Sequence, residues 1–369
     1  METESLDIAN GVLQKVNKGA GMLRDPERSF RPDYRDTFVS PRLIKEFKIP
    51  EGATITGPTS PGKKGRELAE IETICGFPPE KFKERATLNT LTPIDPVEKF
   101  NLSITGNLSM RFIDLMIPIG KGTRALIVSP PRAGKTILLE QMVKSIKASS
   151  PETKIIVLLV DERPEEVTAF RRSVDATVLA SSNDQSIQEH IDLVELTMAL
   201  IRTELECGTD MVVLADSITR LGRAFNLKGS GHANRTMSGG VSAGALEIPR
   251  RFFGLARNIE NGGSATIIAT ALIDTGSRMD ELIFQEFKGT GNCEIVLDRK
   301  LADQRVFPAI DINSSGTRKE ELLYEKEIYR KISAIRKALA GRSNFEAADS
   351  LIKLLEKYPT NEELLSIIP

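Results

Sequence analysis

Residues 125–142 read ALIVSPPRAGKTILLEQM. The apolar run Ala125 to Val128 has the length of a strand, and from Lys135 to Ile146 apolar residues recur at helical spacing. Between them Ser129-Pro130-Pro131-Arg132-Ala133-Gly134-Lys135-Thr136 fills the strand-to-helix turn, which is the context a phosphate-binding loop requires. Such a loop turns its backbone N–H groups toward phosphate oxygens, and the helix N-terminus adds its positive dipole end. Lys135 supplies a full charge, the Thr136 hydroxyl can hold magnesium, and Gly134 permits close backbone approach. Ser129 stands where the general pattern has its first glycine.

Outward from this turn, the apolar runs Ile155 to Val160, Val212 to Ala215 and Thr266 to Leu272 alternate with longer stretches of helical spacing, among them Ile187 to Leu205. That alternation predicts an α/β fold with a mainly parallel sheet and helices packed around it. Ligands bind such a sheet in the crevice outside its strand ends. Asp161, Glu162 and Asp216 directly follow their runs and are therefore candidates. Asp216 suits a magnesium ion shared with Thr136, and Glu162 suits a group that orients or deprotonates an attacking water. Taken alone, each acid reads equally well as a helix cap. Gly120-Lys121-Gly122-Thr123-Arg124-Ala125 imitates a dinucleotide fingerprint, but it precedes its strand instead of following it and is set aside. Arg318 to Leu339 and Phe345 to Tyr358 are predicted as helices broken at Gly341.

Toward the N-terminus, Gly11 to Cys75 is written in short apolar pieces punctuated by glycine and proline, which predicts a small β barrel or sheet. Pro78, Pro79, Pro93 and Pro96 interrupt helix and strand patterns alike and predict a connector. The expected division is an all-β module over 8–76, a connector over 77–104 and the α/β unit over 105–369. Lys and Arg number 50 against 51 Asp and Glu, so no global basic field advertises nucleic acid and any RNA contact must be local. Cys75, Cys207 and Cys293 are far apart, lack metal-ligand spacing and are too few for a disulfide framework, which fits a reducing cytoplasm. No stretch is long and uncharged enough to cross a bilayer, and the N-terminal residues show no basic region followed by an apolar run, so a soluble protein is expected.

Several segments carry a family likeness together with the loop PPRAGKT. They are VDERPEEVTAFRR from Val160, ADSITRLGRAFN from Ala215, ATALIDTGSRMDE from Ala269, RVFPAID from Arg305 and SGTRKEEL from Ser315. In this order they resemble the motor of the Rho family of bacterial transcription terminators, over a span from about Thr105 to Leu322. The resemblance implies a RecA-like P-loop ATPase preceded by an OB-fold-like, cold-shock-like RNA-binding module. It also implies a closed homohexameric ring that uses ATP and Mg2+ to wind single-stranded RNA through its pore, with nucleotide between subunits. Carried over by position, the ATP site comprises Pro131, Arg132, Ala133, Gly134, Lys135, Thr136 and Ile137, with Phe307 packed against adenine. Thr136 and Asp216 fall on the metal positions and Glu162 on the catalytic glutamate. Arg318 matches an arginine finger given to the neighbouring subunit, and Arg163 and Arg220 match arginines that connect nucleotide state to the interface. Arg132 occupies a basic loop position that is usually lysine in the family.

Arg235-Thr236-Met237-Ser238-Gly239-Gly240-Val241 resembles the family's first pore loop, and Asp274-Thr275-Gly276-Ser277-Arg278 the second. Short glycine-bearing loops of this kind can follow a sugar–phosphate backbone without reading bases. Arg235 and Arg278 stand where the family often has lysine, exchanging a compact ammonium for a planar fork. The N-terminal module resembles the family's primary RNA-binding barrel in Gly11-Val12-Leu13, in Gly19 to Arg24 and in Phe38-Val39-Ser40-Pro41. The Gly19 to Arg24 segment normally carries aromatics on which bases stack; here it has Ala20 and Met22, and the chain has no tryptophan. Arg24 and Phe38 remain candidates for that primary site, Phe38 being equally a candidate for the barrel core.

The leading expectation is an RNA-dependent ATPase and helicase that terminates transcription in the cytoplasm, with RNA polymerase or its associated factors as partners. A second keeps the motor but has it recruited by protein partners through a degenerate barrel. A third, a nucleotide-binding structural ring without hydrolysis, runs against the presence of Lys135, Glu162, Asp216 and Arg318.

Overall fold

A computed structural model of the chain describes residues 7–62, 65–229, 241–242 and 244–369. Strands β1 (Ile8–Lys15), β2 (Gly21–Arg24), β3 (Thr37–Val39), β4 (Thr54–Gly62), β5 (Gly65–Leu68) and β6 (Thr73–Ile74), with helix α1 (Pro41–Glu46), form the N-terminal module. The order β1-β2-β3-β5-β4 closes because β4 pairs back onto β1, while β6 adds to the first part of β4. Closure removes the open strand edges. Leu13, Leu23, Val39, Ile55, Leu68 and Ile74 fill the interior, and α1 adds Leu43 and Ile44. Ser40 caps α1 through the Leu43 N–H, and Pro41 stands in the first turn, where a missing N–H costs nothing.

The connector is more ordered than its prolines predict. Pro79 opens a single turn, α2 (Pro79–Lys83), whose Phe82 is buried in the barrel core, and Pro93–Ile94 form a short strand, β7. β7 pairs with β12 (Arg257–Ile259), which in turn pairs with the main sheet. Proline is tolerated at both places, in a helix's first turn and in an edge strand.

The main sheet contains β8 (Arg124–Ser129), β9 (Lys154–Glu162), β10 (Thr177–Ser182), β11 (Met211–Asp216), β13 (Ser264–Leu272), β14 (Cys293–Val296) and β15 (Gly316–Thr317). Its order is β10-β9-β11-β13-β8-β14-β15, parallel except for β15. Ala125, Ile127, Val157, Leu159, Val212 and Leu214 face one apolar core, and Leu126, Val128, Ile156, Leu158, Val213 and Ala215 face the other. Burial on both faces is why these strands read as unbroken apolar runs. On the first face lie α3 (Leu108–Met116), α4 (Lys135–Ser149), α5 (Pro164–Ser173), α11 (Lys326–Leu339), α12 (Asn344–Lys357) and α13 (Asn361–Ser366). The second face is covered by α6 (Ile187–Glu206), α7 (Ile218–Gly229), α8 (Glu247–Phe253) and α9 (Arg278–Lys288). A small satellite core joins α10 (Arg299–Asp303) to Ala309 and Ala348.

The predicted helix from Arg318 begins only at Lys326. The Arg318 N–H bonds the Asn292 carbonyl at 2.8 Å as the chain leaves β15, and Lys319 adopts a left-handed φ of 56° that no helix accepts. Gly341, with φ 80°, separates α11 from α12 as predicted.

Helix α6 is the wall shared by both units. Val12 and Phe30 of the barrel belong to the same apolar core as Leu193, Leu196 and Leu200. Thr203 Oγ1 donates to the Glu51 carbonyl at 3.3 Å, and buried Glu204 accepts from Lys154 Nζ at 2.7 Å and Thr209 Oγ1 at 2.9 Å. At Gly52, φ is +85° and a Cβ would stand 2.1 Å from the Ala199 carbonyl carbon. Gly52→Ala is therefore expected to lower stability by about 2 kcal/mol or more, combining left-handed strain with a backbone clash. Urea unfolding followed by circular dichroism checks this, and an unchanged midpoint would mean that the barrel does not press on α6.

Candidate nucleotide site and pore-loop framework

The register aligns Leu272 with Ser129 and Asp216 with Leu159, so β8, β13, β11 and β9 end along one edge of the sheet. The phosphate-binding loop leaves β8 at that edge. Ser129 Oγ donates to the Pro130 carbonyl at 2.9 Å, which satisfies a buried hydroxyl at the place of the usual glycine. Arg132 (φ 65°) and Gly134 (φ 92°) are both left-handed, Ala133 is buried between them, and α4 begins at Lys135. Pro131 and Arg132 are exposed, Thr136 is half-buried, and Ile137 is 62% exposed.

Lys135 Nζ donates to Asp216 Oδ1 at 2.6 Å, and Thr270 Oγ1 of β13 donates to the same oxygen at 2.8 Å. The Asp216 carboxylate and the Thr136 hydroxyl are hard oxygen donors of the kind Mg2+ takes when it is held mainly by nucleotide phosphates. Among the described residues no cluster of three or more acids, histidines or cysteines offers a protein-only metal cage.

Glu162 ends β9 and is buried. Its Oε1 accepts from Arg220 Nη2 at 3.0 Å and from the Arg163 N–H at 3.1 Å. Burial pushes this carboxyl above its ordinary range, against the Arg220 guanidinium that pulls it down, while nearby Asp216 pushes it up further. Arg220 also donates to the Asp161 carbonyl. The buried carboxylate is held by one cation at the strand end, which suits a group that takes or aligns a proton.

Arg220 and Arg223 lie three residues apart on α7 and share a face. Arg223 grips Asp280 with both ends of its fork, Nε to Oδ1 at 2.8 Å and Nη2 to Oδ2. Asp280 also accepts from Thr275 Oγ1 at 2.6 Å, and Ser277 caps α9 through the Asp280 N–H at 3.4 Å. The second candidate loop is thereby fastened to the helix that holds Glu162. Gly276 (φ 76°) is exposed in that loop, and Arg278 is exposed at the start of α9. Of the first candidate loop, Arg235, Met237, Ser238, Gly239 and Gly240 lie outside the described residues, while Val241 is buried in the core beneath α7 and α8. Sequence reasoning passed over Thr270, Arg223 and Asp280, although all three stand inside quoted motifs, Arg223 and Asp280 each within three residues of a residue already singled out.

Arg163 is exposed at the start of α5, and Phe307 is 46% exposed. Arg318 is exposed beside the edge strand β15, and its guanidinium has no ion-pair partner among the described residues. In the barrel, Gln14, Met22, Phe38 and Glu67 form one half-buried row across β1, β2, β3 and β5, so Phe38 belongs to the outer face and not to the core. Arg24 is buried, paired with Asp36, and its Nε donates to Gln14 Oε1 at 2.7 Å. Ala20 is buried.

Residues 109–317 match the nucleotide-binding domain of the ATP synthase alpha/beta family, and residues 9–80 match the RNA-binding domain of the Rho termination factor. Transcription termination factor Rho of Cereibacter sphaeroides is 47% identical over 363 residues, which cover 96% of this chain and 85% of that protein. Rho of Aquifex aeolicus is 45% identical, covering 99% of this chain and 85% of its own length. Among solved structures, a prototypical type III secretion ATPase of pathogenic bacteria superposes with a TM-score of 0.64 at 20% identity, covering 84% of this chain and 92% of its own. That last likeness concerns the fold.

Removing the cation that opposes burial at Glu162 raises its pKa further. In Arg220→Gln the acidic limb of the ATP hydrolysis rate is therefore expected to move to higher pH, because the carboxylate protonates earlier as pH falls. Rate profiles at saturating ATP test this, and a limb that stays in place would separate Arg220 from the ionisation of Glu162.

Proposed function

The chain belongs to the transcription termination factor Rho family, and from that premise we propose that it is an ATP-driven RNA translocase that ends transcription as a homohexameric ring. The observation that carries this reading is the line of contacts from Lys135 and Asp216 past Glu162 and Arg220 to Arg223, Asp280 and Thr275. A phosphate site and a candidate nucleic-acid loop are joined there by one helix. We take residues 8–76 as the barrel, 77–104 as the connector and 105–369 as the motor. The cytoplasm is the proposed location, and RNA polymerase or its associated factors are proposed partners.

When nucleotide enters, Lys135 exchanges the Asp216 oxygen for phosphate oxygens, and the loop N–H groups from Ala133 to Thr136 close around the chain of phosphates. Phe307 and Ile137, both apolar and exposed, take the base, with Arg132 at the loop's outer rim. Thr136 and Asp216 would hold a magnesium ion, whose charge would offset that on the transferred phosphate. Glu162 accepts the proton of the attacking water, and Arg220 keeps that carboxylate in place. Arg318, without an ion-pair partner among the described residues of its own subunit, reaches the neighbour's γ-phosphate with a planar cation, and Arg163 transmits nucleotide state to the same interface. RNA in the pore meets Arg278 and the loops around it, contacting backbone rather than bases.

ATP turnover should be stimulated by single-stranded RNA, and Lys135→Ala should lower it at least about a hundredfold, since comparable charge-stabilising groups contribute several kcal/mol. A coupled phosphate-release assay with and without RNA measures both, and equal turnover with and without RNA would sink the translocase reading.

A second reading is favoured by the barrel face, where Phe38 is the one aromatic in its row and the Arg24 fork is occupied by Asp36 and Gln14. On this reading RNA holds the barrel weakly and protein partners bring the motor to its target. Met22→Phe would set a second ring beside Phe38, and base–aromatic stacking contributes roughly 1–3 kcal/mol per base. Fluorescence anisotropy of a pyrimidine-rich RNA at fixed salt should then show about tenfold tighter binding to the full chain. Tight binding by the unsubstituted chain through this face would overturn the second reading.

A further inference from the structure

The sequence separates Cys75 from Cys207, but the fold brings them together across the barrel–motor junction. Cys75 follows β6, where its N–H bonds the Thr54 carbonyl at 2.7 Å in a left-handed conformation (φ 49°). Cys207 is the first residue past α6, and it packs against the barrel core that contains Cys75. The two side chains are neighbours in that core, and the Cys207 thiol acts on the Cys75 thiol more strongly than burial does. Their exposures differ: Cys75 is buried, whereas Cys207 is half-buried and lines an open cavity of about 270 Å³ beside Lys81, Arg85 and Glu206. A small oxidant therefore reaches one sulfur, and the other is shut inside the core against which the first packs. The third cysteine, Cys293, is buried as the first residue of β14 in the motor and takes no part.

We propose that Cys75 and Cys207 are a modification site, forming a reversible disulfide between barrel and motor when hydrogen peroxide reaches the protein. The Cys207 thiolate attacks one peroxide oxygen; the S–O bond forms, the O–O bond breaks and hydroxide leaves, giving a sulfenic acid. The Cys75 sulfur then attacks the Cys207 sulfur, the S–S bond forms, the S–O bond breaks, and the hydroxyl leaves with the Cys75 proton as water. Two thiols lose two electrons in total and one peroxide is reduced to two waters. Cys75 acts as the resolving partner because it is the sulfur shut away from peroxide, and the neighbouring Cys207 thiol and burial both hold its pKa above the ordinary thiol range. A dithiol reductant reverses the bond by exchange, as a regulatory disulfide in a reducing compartment requires. The bond would fix the end of β6, and with it the barrel, to the last turn of α6.

The test treats the full chain with hydrogen peroxide, then denatures it, alkylates it with iodoacetamide and maps the peptides by mass. The expected result is a cross-linked pair of peptides carrying Cys75 and Cys207, with Cys293 alkylated, and recovery of all three thiols after dithiothreitol. Cys293→Ser should still form the cross-link, and Cys75→Ser and Cys207→Ser should each abolish it. Irreversible oxidation of Cys207 with Cys75 still open to alkylation would overturn the proposal, as would a disulfide that joins two chains. Because the cross-link is first sought in the unsubstituted protein, its presence or absence there does not depend on whether any variant folds.

Discussion

A strand buried on both faces has no place for a charge. Along β8, β9, β11 and β13 nearly every residue between the ends is apolar and shut away from water, so charged groups must wait for the strand ends. Because those strands run in parallel, they leave it on the same side. Lys135, Glu162, Asp216 and Thr270 come from separate stretches of sequence and meet at one edge for this reason alone. An isolated carboxylate there is costly to bury, and each of the two acids is answered by a cation, Asp216 by Lys135 and Glu162 by Arg220.

Those pairings tie the crevice to the helix beside it. On the proposed reading nucleotide phosphates compete for Lys135, and whatever frees or tightens Asp216 acts at the strand end from which α7 departs. The same helix anchors Glu162 with one arginine and Asp280 with another. A small rotation of α7 therefore changes both contacts at once, because packed helices shift as rigid bodies more readily than they deform.

The candidate nucleotide site was legible in the sequence as a local arrangement of elements. A strand, a turn with Gly134-Lys135-Thr136 and a helix sit within eighteen residues, and the acids follow their apolar runs immediately. The long strands and helices were legible for the same reason, through periodicity. What escaped was set by tertiary contact. β10, with polar Thr177, Ser181 and Ser182, has too short an apolar run to stand out, and the stretch after Arg318 has helical spacing but is captured by Asn292 and by the left-handed Lys319. Arg24 looked free for a ligand until its pairing with Asp36, twelve residues on, became visible. Phe38 was undecidable between core and surface because a three-residue strand carries no usable period.

Helix α6 spends one side on the motor's sheet and the other on the barrel, where Gly52 lies against its backbone so closely that no side chain fits between them. The two units therefore are not interchangeable modules. A chimera that grafts a relative's barrel onto this motor would have to bring the outer surface of α6 with it, from Leu193 to Glu204, or else carry a loop that also presents glycine at that spot. Exchange of parts within this family should accordingly respect a boundary inside a helix and not the one drawn by the connector.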